Sequence, residues 1–414
     1  MASFLRLAYA CAFGVCLTLT AQAKDVENPP LFTASEVLGT KASGPEYRVR
    51  EKVGTDGYIR VYEIETRWGD FAVQGDSMLW VRLKEIEALK AMERTGNSKE
   101  FRDAMAKTAM QPVEFVGKLA TDPKGTVKET VTGTGQMLKG IGSSIRNIGS
   151  GIRNIGKSDG DTGFSLLDTS TESRLIAYTY GFDPYTDFPP LKERLTELSR
   201  AAAAGGMVAS GAFGLIPGDV GMIVNSVAGV GSLSEMVRDL SPSQLEDINR
   251  KALQNAGVSD ALAEELLSNT NYTPTDITAM AAALIEMGKL SNVDGLITQA
   301  AAAENRYAAH FMRKTLELMA SHQRMTVDIT GFATLKQAPF TLAVTRSNGI
   351  EAIVPFDALS WTAKNREAFT SLTRAAKAEG FSGPLSLRIT GTATPLAEKS
   401  LAALGWSVEQ QIGR

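Results

Sequence analysis

Residues 47–92, YRVREKVGTDGYIRVYEIETRWGDFAVQGDSMLWVRLKEIEALKAM, hold the change of period that decides the fold. Tyr47, Val49 and Val53 alternate with charged residues, Asp56-Gly57 supplies a hairpin turn, and Tyr58 to Thr66 alternates again. A second turn, Trp68-Gly69-Asp70, leads into Phe71-Ala72-Val73. From about Met78 the spacing becomes helical, with Leu79, Leu83, Ile86, Leu89 and Met92 on one face. Alternation buries one face of a strand, and a 3.6-residue repeat buries one stripe of a helix. The stretch therefore predicts a small antiparallel sheet packed on a helix.

Upstream, residues 24–45 contain Pro29-Pro30, Gly39 and Gly44 and read as an extended lead-in. Met1 to Ala23 reads as an export signal: Arg6, an apolar run from Leu7 to about Leu19, then Ala21-Gln22-Ala23 with cleavage after Ala23. The apolar run is shorter than the roughly 20 residues a membrane span requires. Cys11 and Cys16, the two cysteines of the chain, both lie in it. The exported chain is then expected to hold no disulfide, which suits a bacterial periplasm.

Downstream, a second helical stretch is expected from about Glu100 to Ala120, ending near Asp122-Pro123. The segment after it is the most unusual in the chain. Val127, Val131, Leu138, Ile141, Ile145, Ile148, Ile152 and Ile155, with Thr134 filling the gap, follow alternating steps of four and three, a heptad stripe. Lys124, Lys128, Lys139, Arg146, Arg153 and Lys157 face only one acidic residue, Glu129. Seven glycines lie between positions 133 and 156. Each costs a helix about 0.8–1 kcal/mol relative to alanine, so this segment should order only when its stripe is buried. It reads as a linker, or as a conditional amphipathic helix that docks on the rest of the chain, on a partner or on an anionic membrane surface. The candidate contact residues are Lys139, Ile141, Ile145, Arg146, Ile148, Ile152, Arg153, Ile155 and Lys157.

Residues 201–234 carry one charge, Asp219, beside Pro217-Gly218. Ala202, Gly206, Ser210, Gly214 and Gly218 recur every fourth position, a spacing that lets a second backbone approach closely. This predicts a hydrophobic helical hairpin, buried in a helical domain or inserted reversibly in a membrane. Before it, Tyr178, Tyr180, Phe182, Tyr185 and Phe188 mark an aromatic connecting loop that leads into a helix from about Pro190 to Arg200. After it, Ser241-Pro242-Ser243-Gln244 is a capping box, Ser259 and Thr273-Pro274 start further helices, and a longer helix spans about Ala300 to Ser321.

From about Met325 the pattern reads as an α/β unit. Met325, Val327 and Ile329 alternate, and Phe340–Val344 and Ile350–Val354 flank Asn348-Gly349. A helix over Trp361–Glu379, a strand at Leu385–Ile389 and a helix after Thr394-Pro395 follow, giving the order β-β-α-β-α. The expected class is α+β, mainly helical. Its parts are a signal peptide (1–23), a β-hairpin with helices (24–122), the Gly-rich basic segment (123–175), a helical domain with hairpin 201–234 (176–322) and the α/β unit (323–414).

The chain has 414 residues, 43% of them hydrophobic and 21% charged, with a net charge of -3, which excludes wholesale disorder and a general nucleic-acid binder. Two histidines, His310 and His322, stand too far apart for joint metal binding, and no zinc, haem or thiol site is spelled out. Gly151-Ile152-Arg153-Asn154-Ile155-Gly156-Lys157-Ser158 fits the phosphate-loop pattern. It follows a copy of itself rather than a strand, and Ser158-Asp159-Gly160-Asp161 is a turn rather than a helix, so no nucleotide is expected. Asp183 and Asp187 are read as turn formers rather than an acid–base pair. The expectation is an exported, non-enzymatic envelope protein that meets an anionic membrane surface or an envelope partner, with no cofactor, metal or nucleic acid. The competing readings are a periplasmic hydrolase with a site between the helical and C-terminal parts, and a soluble binding scaffold.

Overall fold

The computed structural model describes residues 26–95, 170–204, 230–336 and 338–413. The second helical stretch, the heptad segment with all its candidate contact residues, and most of hairpin 201–234 lie outside them. So does the signal segment ending at Ala23.

Phe32–Thr33 (β1) and Ala34–Leu38 (α1) lead into Ser43–Gly44 (β2), Tyr47–Val49 (β3), Lys52–Thr55 (β4), Arg60–Thr66 (β5) and Gly69–Gln74 (β6). Every pairing in this sheet is antiparallel. Strand β5 is its centre, meeting β4 with its first residues, β3 with its last and β6 along nearly its whole length. Tyr62 and Ile64 point inward from β5, onto the helix Asp76–Thr95 (α2). Met78, Leu79, Leu83, Ile86, Leu89 and Met92 of α2 are all buried there, so the period change produces the expected layer.

Thr171–Tyr180 (α3), Pro189–Ala204 (α4) and Val230–Asp239 (α5) come next, and α3 and α4 share the apolar core of the N-terminal sheet. Side-chain contacts fix their directions. Arg82 near the start of α2 reaches Asp187 just before α4 at 2.8 Å, and Arg194 reaches the Met92 carbonyl at 3.3 Å, so α2 and α4 run parallel. The Ser173 hydroxyl donates to Ser199 at 2.7 Å, so α3 runs the other way. The last turn of α2, the first turn of α3 and the last turns of α4 therefore lie at one end of the layer.

Pro242–Asn255 (α6), Asp260–Ser268 (α7), Pro274–Met287 (α8), Val293–Ala301 (α9) and Arg306–Thr326 (α10) form the helical part. The box expected at Ser241 is formed with Gln244, and the helix start expected at Thr273 is also a capping box, with Asp276 as its reciprocal partner. The long helix starts later than its apolar pattern suggests. Asn305 accepts from the Ala308 amide and caps α10, and the chain turns between Ala302 and Asn305.

The C-terminal unit comprises Ile329–Ala333 (β7), Leu342–Thr345 (β8), Ile350–Val354 (β9), Ala358–Leu359 (β10), Ala363–Ala378 (α11), Leu385–Ile389 (β11), Thr392–Ala393 (β12), Pro395–Ala403 (α12) and Trp406–Glu409 (β13). Its main sheet has the order β13-β11-β9-β8-β7. Strands β9, β11 and β13 are parallel, joined by α11 and α12, while β7, β8 and β9 are antiparallel neighbours. The terminal strand β13, with Trp406 buried, adds to the expected order. Met325 and Val327 alternate in sequence with Ile329 but are not strand: α10 continues to Thr326, and Val327 ends it in the left-handed region at φ 52°. Gln323 explains the stop, because its side chain bonds both the amide and the carbonyl of Ile329 and draws the chain into β7.

The hairpin turn at Asp56-Gly57 is sewn into the C-terminal unit. The Tyr58 carbonyl accepts from the amides of Asp357 (2.9 Å) and Ala358 (3.1 Å), and the Gly57 carbonyl accepts from the Ser360 amide (3.1 Å). Gly57 has φ 97°, and a Cβ there would stand 2.9 Å from the Asn365 amide nitrogen. Tyr58 stacks on Phe356 with ring centroids 4.5 Å apart. Glu27 makes a second stitch: its amide donates to the Trp361 carbonyl and its carboxylate accepts from the Trp361 amide at 2.6 Å.

A β-branched residue in the left-handed region is strained, and Val327 keeps 53% of its surface exposed, so little packing offsets that cost. Val327→Gly is expected to raise stability by about 0.5–1 kcal/mol in urea denaturation.

Candidate functional site

Charged side chains converge where α2, the 181–188 loop, the start of α8 and the first half of α10 meet. Asp276 is the centre. As the third residue of α8 it closes the capping box, accepting from the Thr273 amide at 2.9 Å while Thr273 accepts from its own amide at 3.1 Å. With no exposed surface, it also takes Arg306 at 2.6 Å and Arg313 at 3.1 Å, both from α10. Burial pushes the Asp276 carboxyl up. The two guanidiniums outweigh it and hold the group down at about 2. Glu317 repeats the arrangement one turn on: burial opposes its charge, and Arg313 and Lys314 bring it to about 2.

The 181–188 loop closes over this centre. Asp183 accepts from the Tyr185 amide (3.0 Å) and the Thr275 hydroxyl (2.9 Å), with Thr273 at 3.4 Å, so its carboxylate forms a turn and fastens the loop to α8. Burial and the neighbouring Asp276 raise its pKa. On the other side, Arg82 bridges Glu85 (2.7 Å) and Asp187 (2.8 Å) and lies over the Phe188 ring at 4.7 Å. The Thr186 hydroxyl donates to Glu85. Burial lifts the Glu85 carboxyl to about 7 despite Arg82. Asp183 thus forms the turn expected of it, whereas Asp187, also expected to form a turn, pairs with Arg82 instead.

The sequence gives no warning of the contact across 233 residues between Ser77 and His310, whose Oγ and Nε2 lie 2.9 Å apart. The sites are separated by most of the chain, and no spacing rule joins them. A serine beside an imidazole is the geometry of an activated nucleophile. The electrostatics oppose that role. Burial, reinforced by Arg313, pushes His310 down to about 3, so the ring is neutral at pH 7 and a weak base far from the working range of a general base. The pair instead joins α2 to α10, one turn beyond the Tyr307 hydroxyl that caps the Ala72 carbonyl on β6 at 2.8 Å. His322, on the same helix, turns to the C-terminal sheet: it meets Glu351 at 3.1 Å, which Arg388 also holds at 2.5 Å.

No group of His, Cys, Asp and Glu among the described residues could hold a metal ion, and no described helix is long and apolar enough to cross a membrane. Gly156-Lys157-Ser158-Asp159-Gly160 spells the nucleophile-elbow pattern GxSxG but lies outside the described residues, next to the repeat. Comparison of the chain with protein-family models, curated proteins and solved structures finds no match in any of the three.

Removing one partner of a buried ion pair leaves the other charge uncompensated. Asp276→Ala, which strands Arg306 and Arg313, is expected to cost about 3–5 kcal/mol in urea denaturation. Ser77→Ala removes one hydrogen bond and should cost about 1 kcal/mol. Asp276 and Glu317 have lowered pKa values, so their contribution is complete above the ordinary carboxylate range and disappears as pH falls from about 4 towards 2. An acid titration followed by circular dichroism should show that loss, and Asp276→Asn should flatten it.

Proposed function

We propose that the chain is an exported bacterial envelope protein that rests on an anionic membrane surface through residues 124–157. The supporting observation is where the helix layer opens. Thr95, Ser170 and Ala204 stand at the same end of the α2–α3–α4 layer, since Ser173 meets Ser199 and Arg194 meets the end of α2. Residues 96–169 start and finish at that end, and residues 205–229 start there. A basic isoleucine stripe and an almost uncharged Ala/Gly segment leaving one edge are both suited to one apolar, anionic surface.

Lys139, Arg146, Arg153 and Lys157 would meet lipid phosphates, with Ile141, Ile145, Ile148, Ile152 and Ile155 entering the headgroup boundary. The rest of the molecule then serves as a rigid, ion-paired base. The Ser77–His310 pair is the observation closest to the competing hydrolase reading, and its depressed imidazole favours the non-enzymatic one.

Flotation of the mature protein with anionic and neutral vesicles, at low and high salt, tests this. The expected result is flotation with anionic vesicles alone, lost at high salt. Each basic residue near an anionic surface contributes about 1 kcal/mol, so reversing Arg146 and Arg153 to Glu should weaken partition by about 4 kcal/mol. Protein that stays at the bottom under every condition would remove the membrane reading.

A further inference from the structure

The joint between the N-terminal sheet and the C-terminal unit turns on one carboxyl group. Asp357, directly before β10, is 3% exposed, and its Oδ2 accepts from two backbone amides of the other unit, Arg60 at 2.9 Å and Asp76 at 3.1 Å. No described side chain donates to it. The groups facing it come from two elements. Strand β5 presents Arg60 and Tyr62, and α2 presents Asp76. Both cationic and hydroxyl partners are already engaged: Arg60 pairs with Asp76 at 2.6 Å, and Tyr62 donates to Asp76 at 2.5 Å. A second carboxyl group therefore confronts Asp357 in a buried place with its counter-charge used elsewhere. Asp357 cannot shift away, because its carbonyl lies against Gly391, where a Cβ would come within 1.8 Å.

We propose that Asp357 is a proton-operated latch between the N-terminal sheet and the C-terminal α/β unit, closed when its carboxyl is protonated and loosened when it ionises. The two amides favour the ionised form. Burial and the Asp76 charge outweigh them and lift the group to about 8. A group whose pKa is raised in the closed form gives its full stabilisation below the ordinary carboxylate pKa and loses it as pH rises through the raised value. The latch holds in acid and eases towards alkali. The turn at Gly57-Tyr58 and the Glu27 stitch lie on the same joint and would loosen with it.

Hydrogen–deuterium exchange of peptides covering Arg60 and Asp76, from pH 5 to 9 and corrected for intrinsic exchange, reads the opening, with Leu387 in β11 reporting global unfolding. In the wild-type protein, opening should rise about tenfold per pH unit up to pH 7 and level off above about 8. Asp357→Asn keeps the accepting oxygen and should make the opening independent of pH. Asp76→Asn removes the facing charge and should move the levelling-off to lower pH. A flat wild-type profile, or an unchanged slope in Asp357→Asn, would overturn the latch. If that variant fails to fold, an unmoved profile in Asp76→Asn overturns it equally.

Discussion

A carboxylate with no exposed surface stays charged only if the fold brings counter-charge to it, and at Asp276 that demand organises the molecule. Its two guanidiniums come from Arg306 and Arg313, two turns apart on α10, so the helix must lie along the start of α8 in one register. Thr273, the cap of α8, also reaches Asp183 and draws the 181–188 loop onto the same point. Once α10 is placed, Tyr307 covers the edge of β6, His310 meets Ser77, and His322 meets Glu351 in the middle of the C-terminal sheet. The helix thus touches all three parts of the chain, and its ionic register adds to the apolar stripe of Ala309, Leu316, Met319 and Ala320 that it buries.

The buried carboxyls fall into two kinds, and the difference lies in what faces them. Asp276 and Glu317 each meet two cations and are held low. Glu85 has one guanidinium shared with Asp187, and Asp357 has none of its own, so burial dominates both and lifts them. Of the first kind, Asp276 ties α8 to α10, while Glu317 pairs with Arg313 and Lys314 within α10. The second sits where the N-terminal unit meets its neighbours, Glu85 against the 181–188 loop and Asp357 against the α/β unit. Acid and alkali therefore act on different joints of the same molecule.

Local chemistry was legible in the sequence wherever a short-range rule applied. The alternation up to Thr66, the α2 stripe, the box at Ser241, the helix start at Thr273, and the strands at Ile350 and Leu385 all depend on neighbours within a few residues. What failed locally was decided by contacts further along the chain. Met325 and Val327 follow a strand period, yet Met325 lies in the helix and Val327 caps it, because Gln323 fixes where β7 begins. The ionic centre was invisible for the same reason: Asp276, Arg306 and Arg313 look like ordinary surface charges until α8 and α10 are packed together. Asp357 is more hidden still, since its partners are backbone amides about 300 residues away, and backbone carries no sequence signal.

The layer is polarised along its helices. At one end the loop 181–188, Ser77 and Asp276 form a dense network in which each buried charge has a fixed partner. At the other end, Thr95, Ser170 and Ala204 release long stretches of chain rich in glycine, with one stretch basic and the other nearly free of charge. Glycine-rich chain gives no stiffness of its own and loses entropy when ordered. The ionic network at the far end ties α2 to the loop that leads into α4, through Arg82 and Asp187.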